Sequence, residues 1–148
     1  MSSARSASRL TPVEEDLGVL LARASGVVVR AANAALETYG LRVRHLSILR
    51  LVAERARSQR ELSQVLGLDP SNAVSLIDDL EDLGLVQRTP DPQDRRARVV
   101  RATSAGLATL PDAVTDSEAG LEEALGNLDA SDRVELRRLL RVALDAHL

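Results

Sequence analysis

Two short amphipathic segments, each with its own start and stop signals, follow one another between residues 58 and 84 and constrain the fold most. The first begins at Ser58, whose hydroxyl suits a helix N-cap, with Glu61 three positions later as in a capping box. Gly67 ends it, since glycine adopts the left-handed backbone of a helix C-terminus at little cost. The second begins at Asp69, followed by a proline suited to the first helical position, and stops at Gly84. Two short helices joined by a tight turn predict a helix-turn-helix.

An arginine-rich hairpin is predicted immediately after this pair of helices. Residues 85–89 and 97–102 have strand-like composition and flank a polar turn with two prolines. Five arginines outnumber two aspartates in this hairpin: Arg88, Arg95, Arg96, Arg98 and Arg101 against Asp91 and Asp94. A charged run usually marks a solvated loop. On a hairpin that follows a helix-turn-helix, however, it is typical of a winged helix-turn-helix that binds double-stranded DNA.

In such units the second helix enters the major groove by its N-terminal end. Its predicted buried face consists of Ala73, Val74, Ile77, Leu80 and Leu83. Ser71, Asn72 and Ser75 lie on the opposite side and can hydrogen-bond to base edges or phosphates. The alternative is that Ser71 and Asn72 are ordinary first-turn residues, which favour capping positions.

The segment before the helix-turn-helix is predicted to be helical. Residues 11–39 have apolar positions at helical spacing, with Thr11 as the cap and Gly40 as the stop. A second helix spans about 43–55. Residues 1–10 have little to bury, and we expect a disordered N-terminal arm there.

The segment after the hairpin is also predicted to be helical. Thr103 caps a long helix that runs to about Leu128, and Pro111 should kink or split it because proline cannot donate to the preceding turn. Asp129 caps a final helix with an apolar stripe. The first and last helices have more apolar surface than a small core can cover, which predicts a homodimer interface from residues of about 10–35 and 110–148.

Composition excludes several classes of function. The chain has no cysteine and two histidines, so thiolate metal sites, disulfides and cysteine redox chemistry are excluded. There is no glycine-rich phosphate loop and no cluster with metal-ligand spacing, and we expect neither an enzyme nor a cofactor. No apolar run approaches the roughly 20 residues that span a bilayer. We therefore expect a soluble, cytoplasmic protein without a membrane partner.

The distribution of charge favours nucleic-acid binding more than the net charge of −3 does. Eleven arginines and nine acidic residues lie between positions 41 and 101, against four and nine after them. Every basic residue of the chain is arginine, whose planar fork suits phosphate and guanine. Codon usage is an equally good explanation of that preference.

Residues 46–106 resemble the DNA-binding core of the MarR (multiple antibiotic resistance regulator) family. The resemblance rests on four short motifs in order: QREL (59–62), LEDLGLVQR (80–88), DPQDRR (91–96) and ATSAG (102–106). It implies that Arg96 enters the DNA minor groove and that Asp94 orients its guanidinium. It also implies that Arg95 and Arg98 contact phosphates.

The second helix departs from a simple DNA-binding pattern. Residues 69–83 contain no basic residue and carry Asp78, Asp79, Glu81 and Asp82 toward the C-terminal half. We therefore expect affinity to depend on the wing and on four other arginines: Arg42, Arg44, Arg57 and Arg60. Few phosphate contacts predict a modest affinity and a shallow salt dependence.

The resemblance further implies a ligand pocket where the dimer helices meet the DNA-binding region. Tyr39, Arg42 and His45 lie near the expected junction, and His45 could bind a phenolic or carboxylate effector. The alternative is a partly buried histidine with a local partner.

Together these features predict a mainly α protein with a small β-hairpin wing. The winged helix-turn-helix occupies 41–103, and 11–40 with 104–148 form the helical dimerisation region. We predict a MarR-type transcription regulator, a repressor, that binds a palindromic operator as a homodimer and is released by a small molecule. The alternatives are a winged-helix module for protein contact and a regulator of another winged-helix family.

Overall fold

The computed structural model describes residues 11–145, which form six α-helices and one antiparallel hairpin. The elements in chain order are α1 (Leu17–Leu36), α2 (Val43–Glu54), α3 (Gln59–Leu66), α4 (Pro70–Asp82), β1 (Val86–Pro90), β2 (Arg98–Ala102), α5 (Ser104–Ala124) and α6 (Ala130–Asp145). Two 3-10 turns, Val13–Glu15 and Glu37–Tyr39, flank α1. The arm predicted for residues 1–10 lies outside the described residues.

The start of the first helix differs from the sequence prediction. Asp16, not Thr11, caps α1, because its carboxylate accepts a hydrogen bond of 3.0 Å from the backbone N–H of Val19. The segment beginning at Pro12 instead forms the separate 3-10 turn. Gly40 ends the helical region in the left-handed conformation (φ 68°), as predicted.

Helix α5 runs through Pro111 without being split, so of the two predicted effects, a kink or a split, the split is wrong. Proline removes only one backbone hydrogen bond, and the remaining turns of this 21-residue helix hold it together. The cap is the predicted one, since the Thr103 hydroxyl accepts from the N–H of Gly106 at 3.1 Å. The helix ends at Ala124, before the predicted Leu128. Asp129 caps α6 through a 2.8 Å hydrogen bond from the N–H of Asp132.

The core lies between α2, α3, α4, the hairpin and α5. Its largest fully buried side chains are Leu36, Ile48, Leu49, Leu62, Ile77, Leu80, Val86 and Val100. Helix α1 packs along α5, and Gly120 of α5 allows this approach, because a Cβ there would lie 3.1 Å from the carbonyl oxygen of Ala31.

Large apolar side chains of α1 and α6 stay exposed in the single chain. They include Leu17, Leu20, Leu21 and Val27 on α1 and Val134, Leu139, Leu140, Val142 and Leu144 on α6. No described side chain of α6 is buried. The apolar faces of these two helices are therefore unpartnered within one chain.

The prediction that no apolar run approaches the length of a membrane span is wrong for α1. Leu17–Tyr39 is long and apolar enough to cross a membrane by length and composition alone. A helix of a soluble protein can pass the same test when other helices cover its apolar side. Within one chain α1 packs along α5 and buries Ala32 and Leu36, but only 11% of the apolar window is buried. Most of its apolar side is therefore left for another partner to cover.

Candidate nucleic-acid interface

The helix-turn-helix is built by the local signals that the sequence predicts. The hydroxyl of Ser58 accepts a 3.1 Å hydrogen bond from the N–H of Glu61 and so begins α3. Gly67 ends α3 in the left-handed conformation (φ 60°), and the N–H of Leu68 donates to the carbonyl of Ser63 at 2.9 Å. Leu68 is buried and anchors the turn. This turn fixes α4 against α3.

Helix α4 presents the three predicted polar side chains to solvent. Ala73, Ile77 and Leu80 are fully buried against the core. Ser71, Asn72 and Ser75 are therefore exposed at the N-terminal end of the helix. Hydroxyl and amide groups in this position can reach base edges or phosphates.

Three details of α4 differ from the prediction. Val74 and Leu83 were expected in the buried face, but they are 37% and 45% exposed. The core contacts α4 along a narrower stripe than the periodicity suggests, and Val74 lies at its flank. Asp69 occupies the N-cap position, but its side chain makes no capping hydrogen bond.

The wing is a regular hairpin whose turn is held by two aspartates. Val86 pairs with Ala102 and Pro90 with Arg98 at the two ends of the ladder. Within the turn, Asp91 accepts from the N–H of Gln93 at 2.9 Å, and Asp94 accepts from the N–H of Arg96 at 3.0 Å. Asp94 thus contacts the backbone of Arg96, and its expected contact with the Arg96 guanidinium is not formed. Its role here is to shape the turn.

Seven of the nine arginines on which DNA affinity was predicted to depend remain available on the surface. They are exposed, and no carboxylate among residues 11–145 pairs with any of them within 4 Å: Arg42, Arg44, Arg60, Arg95, Arg96, Arg98 and Arg101. Arg98 makes one weak hydrogen bond, 3.3 Å long, to the carbonyl of Arg88. These guanidinium groups are free to meet an anionic partner.

Arg88, also predicted to contact DNA, is instead occupied within the chain. Its guanidinium binds Asp78 at 2.5 Å, pairs with Glu81 and donates to the side-chain oxygen of Gln59 at 3.0 Å. Its backbone N–H also donates to Glu81, and this hydrogen bond, with the guanidinium, holds the pKa of Glu81 below its ordinary value. Arg88 therefore joins β1 to α3 and α4 and neutralises two of the acidic residues of α4.

Arg57 is similarly occupied. Its guanidinium binds Glu54 at 3.0 Å, Glu61 at 3.1 Å and the carbonyl of Leu51 at 3.0 Å, and its side chain is largely buried. Its backbone forms an antiparallel bridge to Val100, so residue 57 pairs with β2 beside the hairpin. The guanidinium groups of Arg57 and Arg88 are thus engaged within the chain rather than free for DNA. The partners of Arg57 are only three and four positions away, but Arg57 lies between two helices, so helical spacing does not predict these ion pairs.

The predicted ligand residues lie at the junction of α1, α2 and α5, and two of them have partners within the chain. His45 is 6% exposed; its Nδ1 accepts from the N–H of Arg42 at 3.0 Å, and its Nε2 lies 3.1 Å from Asp79 of α4. The Tyr39 hydroxyl donates to Asp116 at 2.6 Å, and this hydrogen bond raises the pKa of Tyr39 to about 12. Only the Arg42 side chain is exposed and free of carboxylate partners among the described residues.

A groove of about 720 Å³ lies beside this junction, between α1 and α5. Its walls are mostly alanine and glycine, and its acidic residues are Asp116 and Glu123. Within residues 11–145, no three histidine or acidic side chains lie close enough together to hold a metal ion. The groove is thus small-residue lined and acidic.

Comparison with known proteins identifies the family. A model described as the MarR family matches residues 39–97. A MarR-family transcriptional regulator from Rhodococcus sp. RHA1 is similar in structure, with 37% identity, a TM-score of 0.82 and coverage of 88% of this chain and 94% of that one. CouR from Rhodococcus jostii RHA1, whose structure contains p-coumaroyl-CoA, has 38% identity, a TM-score of 0.79 and coverage of 88% and 93%.

A curated relative is also similar, over a shorter stretch. The transcriptional repressor NicR from Pseudomonas putida is 34% identical over 89 residues, which cover 60% of this chain and 56% of NicR. The alignment therefore spans little more than half the length of that relative. The two Rhodococcus structures cover nearly their whole length at more than 30% identity. The chain therefore belongs to the MarR family of transcription regulators.

Proposed function

We propose that this regulator is a repressor that binds a palindromic operator as a homodimer and is released by a small-molecule effector. The observation that carries the proposal is the pair of exposed, unpaired arginines Arg95 and Arg96 at the wing tip, on the hairpin that directly follows α4. Arginine at a wing tip suits the negative potential of an A·T-rich minor groove. NicR, a relative with 34% identity, is named a repressor, which favours repression.

Each part of the proposed interface has its own role. Arg96 enters the minor groove, and Arg60, Arg95 and Arg98 contact phosphates. Ser71, Asn72 and Ser75 contact base edges in the major groove, where asparagine pairs well with adenine. Asp94 keeps the wing turn in shape through the Arg96 backbone.

The homodimer is supported by the unpartnered apolar faces of α1 and α6. One copy exposes Leu139 and Leu140 on α6 and Leu20 and Leu21 on α1, and a second copy would cover such surfaces. We propose that 11–40 and 104–148 form the dimerisation region and that 41–103 form the DNA-binding region. Sedimentation at micromolar concentration should give twice the 15.9 kDa of one chain, and a monomer would refute the dimer.

The enzyme alternative is removed by family membership, since the MarR relatives are transcription regulators. Membership also excludes assignment to another winged-helix family. It fits a soluble protein, and we propose a cytoplasmic location. A winged helix used for protein contact remains the competing function, and the DNA-binding experiment below separates the two.

The effector we propose is phenolic or a carboxylate, bound near Tyr39 and Arg42. CouR, which is 38% identical, was crystallised with p-coumaroyl-CoA, whose acyl group carries a phenol ring. Arg42 is exposed and can pair with an anionic group. His45 is assigned to support rather than to ligand contact, because both ring nitrogens already have partners. Asp116 and Glu123 in the groove between α1 and α5 would repel an anionic group, so we propose that the anionic end of the effector lies toward Arg42 instead.

The test is binding to the DNA immediately upstream of the coding sequence, measured by fluorescence anisotropy over a salt series. We expect saturable binding, with a salt slope below that of about ten released ions, because the proposed interface has four arginines in each of two copies. Arg96→Ala should greatly weaken binding, while Arg50→Ala, an exposed arginine of α2 outside the proposed interface, should leave it unchanged. No binding by the wild type even at low salt would refute the function and favour protein contact.

The effector is tested on the same complex with 4-hydroxycinnamate and its CoA thioester as probes. Release of the labelled duplex should need more probe with Arg42→Ala than with the wild type, and Arg50→Ala serves again as the control. Release that is equal in all three proteins would place the anionic end away from Arg42.

A further inference from the structure

An apolar side chain lies within the proposed DNA-binding surface of α4. Val74 is 37% exposed, although its neighbour Ala73 and Ile77 one turn later are fully buried. It directly precedes Ser75 and follows Ser71 by three positions, so it lies on an adjoining part of the same helix surface. The proposed contacts of the polar residues give Val74 no role.

Val74 forms part of a groove between α3 and α4 with a volume of about 520 Å³. Leu68 and Pro70 extend its apolar floor, and Gln59, Arg60 and Gln64 of α3 supply its polar side. Arg60 is exposed and has no carboxylate partner among the described residues. An apolar floor beside a free arginine suits an occupant that has an apolar group next to an anionic backbone.

A DNA strand in the major groove has that combination. The C5-methyl of thymine is the apolar group that base pairs present there, and it distinguishes A·T from the other pairs. The phosphates of the same strand can lie along the α3 side of the groove, within reach of Arg60. Helix α4 has no basic residue for guanine, so an apolar contact is a suitable means of selecting a base.

We infer that Val74 is a specificity-determining residue that contacts the methyl group of one thymine in each operator half-site. The inference rests on the proposed DNA-binding function and extends it to a particular base. The polar side and the free Arg60 favour a nucleic acid over an apolar peptide as the occupant of the groove.

The test removes single methyl groups from DNA that the protein itself has chosen. Duplexes are first selected from a random-sequence pool with the full chain, and each thymine of the preferred duplex is then replaced in turn by uracil. Uracil pairs as thymine does but lacks the methyl group. Losing one buried methyl contact should weaken wild-type binding about fourfold at one thymine in each half-site, and roughly fifteenfold when both half-sites are changed.

The matched variants are Val74→Ala and Val65→Ala. Val65 is a second exposed valine of the helix-turn-helix, 48% exposed on α3 and outside the groove lining. Both changes replace an exposed valine in a helix with a better helix former, so both variants should fold. Val74→Ala should bind the thymine and uracil duplexes equally well, while Val65→Ala should respond as the wild type does.

The outcomes distinguish this inference from the proposed function. Equal wild-type affinity for every thymine and uracil duplex would overturn the inference and leave DNA binding intact. An unchanged uracil effect in Val74→Ala would assign the methyl contact to another residue and would also overturn it. Failure to select any duplex would refute the proposed function together with the inference.

Discussion

The Nε2 atom of His45 in α2 lies 3.1 Å from a carboxylate oxygen of Asp79 in α4. The other ring nitrogen, Nδ1, accepts a hydrogen bond from the backbone N–H of Arg42. In the tautomer that fits this contact, the N–H group is at Nε2 and donates a hydrogen bond to Asp79. This pair joins the junction near the proposed effector site to the helix proposed to enter the major groove. It is a direct physical connection between the two regions.

Removing the imidazole of His45 should lower the free energy of unfolding more than removing its partner Asp79 does. His45→Ala leaves a cavity and a backbone N–H without its partner, and we expect the free energy of unfolding to fall by about 2–3 kcal/mol. Asp79→Ala removes one partly exposed partner and should cost less than about 1 kcal/mol. Urea unfolding followed by circular dichroism measures both.

Variants of Asp79 test whether its contact with His45 also holds α4 in position. Asp79→Ala should speed amide hydrogen exchange in α4 and weaken DNA binding, because the link to α2 is lost. Asp79→Asn, which keeps a hydrogen-bond acceptor, should restore most of both. Unchanged exchange in Asp79→Ala would show that the core contacts alone fix α4.

Sequence patterns anticipated the features that depend on neighbouring residues. The Ser58 and Thr103 caps and the left-handed Gly67 were predicted, because each acts within three or four positions along the chain. Contacts across the fold were not anticipated. His45 and Asp79 are 34 positions apart, and the periodicity of each helix contains no signal that they meet.

The ion pairs of Arg57 and Arg88 were not predicted either. The sequence shows that both residues are basic, but not that their guanidinium groups turn toward Glu54, Glu61 and Asp78. The arginines of the wing tip were placed correctly on the surface, because a short polar turn has little packed against it. Val74 was misplaced because it borders a groove with α3 and stays 37% exposed, although helical spacing groups it with the buried residues of α4.

The substitutions Arg88→Ala and Arg96→Ala should weaken DNA binding in different ways. Arg88→Ala removes the link between β1 and α4 and leaves Asp78 and Glu81 unneutralised, so it should cost about 1–2 kcal/mol of stability as well as affinity. Arg96→Ala should leave the melting temperature unchanged and reduce the salt slope by about two, one for each copy in the dimer. Thermal unfolding and anisotropy on the same two variants check this, and a melting temperature lowered equally in both would contradict the assignment.

Gly106 has a steric requirement that can be tested against a second glycine. A Cβ at position 106 would lie 2.1 Å from the carbonyl oxygen of Leu85 and 3.1 Å from a methyl of Leu49, so Gly106→Ala must push α5 away from the hairpin. We expect a loss of about 2–3 kcal/mol in urea unfolding. At Gly67 an added Cβ would meet no atom within 4 Å. Gly67→Ala should therefore cost only the strain of alanine in a left-handed backbone conformation, about 1 kcal/mol. Equal losses in the two variants would argue against the contact with Leu85.

Tyr39 allows a direct measurement of the contact between the end of α1 and α5. It is the one tyrosine of a chain without tryptophan, so phenolate absorbance reports this residue alone. Its hydrogen bond to Asp116 favours the neutral phenol and raises its pKa to about 12, from an ordinary value of about 10. Because the pKa is higher in the folded state, the contribution to stability is fully present below about pH 10 and is lost as the pH rises through about 12.

The titration should be followed by absorbance and circular dichroism together, so that deprotonation of the folded protein is separated from alkaline unfolding. The wild type should keep Tyr39 protonated beyond pH 10 for as long as it stays folded, and Asp116→Ala should move the midpoint toward about 10. Asp116→Asn keeps an acceptor but no charge and should lie between them. If the folded wild type titrates at about 10, the hydrogen bond does not persist in solution, and α1 is not held to α5 at this point.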